Sequence, residues 1–87
     1  MSENIMITPV KYIDIYIPKQ SDALEVAYLM SQCRSKVWAI RGEYRVSAKS
    51  VLGLMSLDIS EVVTLAFETL EDYENVARKL VTWEVRK

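Results

Sequence analysis

The sequence predicts an α+β fold, an open-faced sandwich in the order β-α-β-β-α-β-α, with the helices on one face of an antiparallel sheet. Three observations carry this expectation. Residues 10–17 alternate apolar and polar side chains with the period of a strand. Tyr73, Val76, Ala77, Leu80 and Val81 recur with the period of a helix. Between two short β-rich runs, Arg41-Gly42-Glu43 reads as a hairpin turn. Eighty-seven residues suit a single domain, residues 1–87, with residues 1–9 as an N-terminal extension. Half the residues are apolar (51%) against a net charge of −1, which fits a packed core and not a disordered chain.

Taken in order, the first strand puts Ile13, Ile15 and Ile17 on one side and Tyr12, Asp14 and Tyr16 on the other, and Pro18 ends it. Asp22 and Glu25 have capping-box spacing, so a helix is expected over residues 22–34 with Asp22 as its N-cap. Val26, Leu29, Met30 and Cys33 form its inner stripe, and Arg34 complements its C-terminal dipole. Residues 36–40 and 44–47 are the hairpin strands. Periodicity leaves open whether Val37 and Ala39 or Trp38 and Ile40 face the core. A short helix follows with Ser50 as N-cap, then a strand over residues 61–67. Thr69 caps the last helix, Glu71 and Asp72 sit in its first turn, and Arg86 and Lys87 complement its far end.

Composition excludes several chemistries. The chain has no histidine, which removes Ser-His and Cys-His nucleophiles and any phosphohistidine intermediate. Its one cysteine, Cys33, cannot form an internal disulfide and suits a reducing compartment. With eleven basic and twelve acidic side chains there is no global field to draw in nucleic acid. The N-terminus lacks a signal-peptide pattern and no apolar run reaches membrane-spanning length, so a cytoplasmic protein that binds neither nucleic acid nor membrane is expected.

From Ala48 to Leu57 the chain reads Ala-Lys-Ser-Val-Leu-Gly-Leu-Met-Ser-Leu. This segment resembles the HPr family, the histidine phosphocarriers of the bacterial sugar phosphotransferase system. In Gram-positive members it surrounds the regulatory serine that HPr kinase phosphorylates. The resemblance implies a four-stranded antiparallel sheet covered by three helices, no enzymatic activity, no cofactor or metal, and a Gram-positive source. It also implies protein partners, either HPr kinase or a transcriptional regulator.

The family's motif G-x-H-x-R-P opens its first helix. Counting from Pro18, this chain has Gln20-Ser21-Asp22-Ala23-Leu24-Glu25 there. The resemblance thus puts Asp22 in place of the phosphoryl-accepting histidine, Leu24 in place of the arginine, and Glu25 in place of the helix-opening proline. A phosphoryl relay needs a nucleophile, a balancing cation and a positive helix end. Only the helix end is left, so a working phosphohistidine carrier is excluded. The chain resembles the catabolite-repression variants of HPr, which also lack the histidine and keep the serine.

Each candidate residue has two readings. Asp22 is an N-cap or, alternatively, an acyl-phosphate acceptor, and the cap requires less. Cys33 reads as a buried apolar residue before a redox thiol. Tyr12 and Tyr16 read as an ordinary sheet face before a base-stacking platform. Ser50 is a helix cap and, by the resemblance, a phosphorylation site, with Lys49 and Arg45 close in sequence. Around it, Val51, Leu52 and Met55 are expected to stay exposed if Leu54 and Leu57 face inward. They would bind a partner, or be covered by Ile5, Met6 and Ile7 or by a second copy. A regulatory binding module acting through Ser50 and this patch is the function expected. Phosphotransfer on Asp22 is the alternative, as is a diverged paralogue with an unrelated partner.

Overall fold

The N-terminal alternation becomes strand β1 (Lys11–Ile15) in a computed structural model that describes residues 9–57 and 61–85. After it come α1 (Gln20–Met30), β2 (Val37–Arg41), β3 (Tyr44–Ser47), α2 (Val51–Ser56), β4 (Val63–Phe67) and α3 (Leu70–Leu80). The element order is the expected one. The strands form a single sheet in the order β1-β4-β2-β3 with every neighbouring pair antiparallel. Ile5, Met6 and Ile7, expected as a cover, and Arg86 and Lys87, expected at the last dipole end, lie outside the described residues.

Register decides which side chains are buried. Val37 lies opposite Phe67, and Ala39 opposite Leu65, so β2 turns these two residues inward with β4. Trp38 and Ile40 go to the outer face and stay half-buried. Ile13, Ile15, Val37, Ala39, Val63, Leu65 and Phe67 make the floor of the core, and Val26, Met30, Leu54, Val76 and Leu80 come down on it from the helices. Each large side chain so buried contributes about 1.5–3 kcal/mol. The hairpin turns at Gly42, whose φ of 61° is a left-handed conformation that costs a residue with a Cβ and suits glycine.

Helix and strand ends differ from the periodicity in instructive ways. β1 stops at Ile15, and the next residue, Tyr16, turns its N–H to the outer edge, where it donates to the Trp83 carbonyl (2.9 Å). With Val85 N–H donating to the Asp14 carbonyl, the chain beyond α3 covers the outer edge of β1, an edge that would otherwise offer free pairing groups. α1 begins at Gln20, with Lys19 as its N-cap, so Asp22 is not the cap but the third helical residue. Its carboxylate reaches back to accept from the Lys19 N–H (3.2 Å), the acidic half of a capping box set three residues earlier than the sequence spacing implies. The helix ends at Met30; Gln32 and Cys33 tighten into three-residue turns on Leu29 and Met30, and Arg34 lies in the loop, not in a last turn. Similarly, α3 ends at Leu80, where the Trp83 and Glu84 N–H groups close on the Leu80 carbonyl. Val81 is thereby left 47% exposed and outside the inner stripe.

Candidate functional site

Ser50 caps α2. Its Oγ accepts from the Gly53 N–H (3.0 Å), and the residue is exposed. A Cβ on Gly53 would stand 3.3 Å from both Ser50 Oγ and the Ser47 carbonyl, so the glycine lets this cap close tightly. The six-residue helix is anchored by Leu54 (0% exposed) and followed by buried Leu57. Of the three residues expected outside, Leu52 stands 81% exposed. Val51 and Met55 instead are half-buried and pack against the core, because a one-and-a-half-turn helix lying on the sheet brings its flanks down as well as its base. The outer surface of α2 is therefore Leu52 beside Ser50.

The cations near Ser50 in sequence are committed elsewhere. Lys49 Nζ donates to the Cys33 carbonyl (2.8 Å), tying the α2 approach to the end of α1, and the Arg45 guanidinium lies 4.7 Å from the Trp38 ring centre.

At the start of α1, Asp22 uses both carboxylate oxygens. Oδ2 takes the Lys19 N–H, and Oδ1 accepts from Trp83 Nε1 (3.2 Å), which links the first helix to the C-terminal chain. A proline is tolerated in the first turn of a helix and not beyond it. Glu25 stands in the second turn of α1, so the count from Pro18 runs past the helix start. The residue at the helix opening is Lys19.

A third cluster goes beyond the expected Thr69 cap with Asp72 in the first turn. Asp72, only 3% exposed, sits in the first turn of α3 and accepts from the backbone N–H groups of Arg34 (3.0 Å) and Ser35 (2.8 Å). Its own N–H donates to Thr69 Oγ1 (3.1 Å). Burial pushes its carboxyl up, but the donations from Ser35, Arg34 and Thr69 outweigh this and hold it below the ordinary carboxylate range. The Thr69-x-x-Asp72 spacing was available as a capping signal; the long-range bonds to Arg34 and Ser35 were not.

Beside Asp72 lies Cys33. Burial above all, and then the Asp72 charge, push its thiol up to about 11 against a smaller opposing pull from Lys49. At neutral pH it is a thiol and not a nucleophile. Ellman's reagent at pH 8 should leave the folded chain unlabelled and titrate one thiol in denaturant; rapid labelling of the native chain would refute the buried reading. Among the described residues no group of histidine, cysteine, aspartate and glutamate side chains could hold a metal ion, and no helix is long and apolar enough to cross a membrane.

No family model matches the sequence, and no curated protein matches it. Among solved structures the chain is similar to the crystal structure of HPr-C-His from Thermoanaerobacter tengcongensis, with a TM-score of 0.66 and 25% sequence identity. The match covers 84% of this chain and 93% of that one. The fold is HPr-like: a four-stranded antiparallel sheet with three helices in the order β-α-β-β-α-β-α.

Proposed function

We propose that this chain is a regulatory protein-binding module related to the phosphotransferase-system carriers, one that acts through Ser50 and the outer surface of α2 and carries no phosphate on histidine. The observation behind this reading is Ser50 itself, an exposed hydroxyl at the cap of α2, two residues from the exposed Leu52. The HPr-like fold and the Ala48–Leu57 segment support it. Phosphorylation would add about −1.5 to −2 charges at the cap, where free N–H groups can receive them. Lys49 and Arg45 are engaged elsewhere, so the balancing cations come from the partner. The partner is a kinase or transcriptional regulator that sets Arg or Lys beside a pocket for Leu52.

A Gram-positive HPr kinase with ATP is expected to add one phosphate, seen as a gain of about 80 Da in intact mass that Ser50→Ala abolishes. No gain, with an ordinary HPr labelled in the same tube, would leave Ser50 a structural cap. A phosphotransfer role for Asp22 is disfavoured by its hydrogen bonds, since phosphorylation would break its links to Lys19 or Trp83. Phosphoenolpyruvate and the general phosphotransferase enzyme should accordingly leave the mass unchanged. A stoichiometric, hydroxylamine-labile adduct would reinstate Asp22.

A further inference from the structure

We propose that the outer face of the sheet pairs with the same face of a second copy of this chain, about a two-fold axis running along the strands. The helices cover one side of the sheet, and the even-numbered residues of β1, β4 and β2 point to the other. Val10, Tyr12, Tyr16 and Val62 are all more than two-fifths exposed there, and half-buried Trp38 and Ile40 continue the apolar surface.

Charge on this face is divided along the sheet's midline. Asp14 on β1 and Glu68 at the end of β4 are acidic; Lys36, just before β2, and Arg45 on β3 are basic. The strand order β1-β4-β2-β3 puts both acids on one half and both bases on the other. Register adds a second condition. Asp14 lies opposite Thr64, Thr64 opposite Ile40, and Ile40 opposite Arg45, so Asp14 and Arg45 share one row across all four strands. Since Phe67 lies opposite both Lys11 and Val37, the next row holds Val10, Glu68 and Lys36.

A two-fold axis along the strands exchanges β1 with β3 and β4 with β2 and keeps each row in place. It sets Asp14 over Arg45 of the second copy and Glu68 over its Lys36, and the symmetry repeats both pairs. An axis across the strands would lay the acidic half of one sheet over the acidic half of the other, and the basic half over the basic half. One further feature fits. Lys36 (5.7 Å) and Arg45 (4.7 Å) both lie against the Trp38 ring, so the two cations are already oriented on this face.

Sedimentation velocity at high chain concentration and low salt is expected to give a mass about twice the 10.0 kDa of one chain, falling toward one chain as salt rises. Arg45→Glu and Asp14→Lys should each weaken self-association by about tenfold or more, because each sets like charges face to face. Mixed in equal amounts, the two variants should recover a dimer. The glutamate introduced at position 45 of one then meets the lysine introduced at position 14 of the other, and the remaining Asp14 still meets the remaining Arg45. That recovery also demonstrates that both variants are folded. A wild-type chain that stays monomeric at millimolar concentration would overturn the proposal, as would variants that dimerise alone or a mixture that does not.

Discussion

Leu54→Asp is expected to unfold the chain, whereas Leu52→Asp, two residues away in the same short helix, should leave the melting temperature nearly unchanged. Leu54 is fully buried against the sheet and Leu52 is 81% exposed. Burying an unpaired carboxylate costs several kcal/mol beyond the lost apolar contact. Against a total stability of about 5–15 kcal/mol, and less for so small a core, that is decisive. Met55→Asp should fall between the two, because Met55 packs half-buried on the core. Circular-dichroism melts of the three variants check the order. If Leu52→Asp melts as low as Leu54→Asp, α2 rests on a different face, and the surface proposed for a partner is core. In a capture assay with the kinase or regulator, Leu52→Asp should lose binding while keeping its fold.

Asp72→Ala is expected to destabilise the chain by about 2–4 kcal/mol, because it leaves the Arg34 and Ser35 N–H groups without their acceptor and forfeits the link between the loop after α1 and the start of α3. The cost should depend on pH in a defined direction. The Asp72 carboxyl is held below its ordinary range in the folded state. Its contribution is therefore fully present above the unfolded carboxylate pKa of about 3.9 and is lost as pH falls through the lower folded value. Urea denaturation of the two proteins should show a constant stability gap from neutral pH down to mildly acidic pH, then a narrowing gap in stronger acid. A gap that widens in acid would mean that folding raises the Asp72 pKa.

Element types were legible wherever local chemistry alone sets them. Alternation marked β1, Gly42 marked the hairpin, and the cap residues Ser50 and Thr69 marked the starts of α2 and α3, since a cap hydroxyl bonds N–H groups three residues on and needs nothing distant. α1 starts three residues earlier than the Asp22–Glu25 spacing implies, because the cap is Lys19, a residue type that carries no capping signal. Asp22 took the inner role, receiving the Lys19 N–H on one side and the Trp83 indole on the other, and that second bond spans 61 positions.

The sequence by itself determined the order of elements, the absence of histidine chemistry and the cap at Ser50. All three follow from residue identity and from spacings within a single turn of chain. Only the tertiary structure decided that Val37 and Ala39 face inward, that Asp72 is a buried junction, and that Val51 and Met55 are half core. It alone brought Asp14 into one row with Arg45. Strand register and helix docking are set by contacts between segments dozens of residues apart. Periodicity within one segment carries its two faces and not the choice between them.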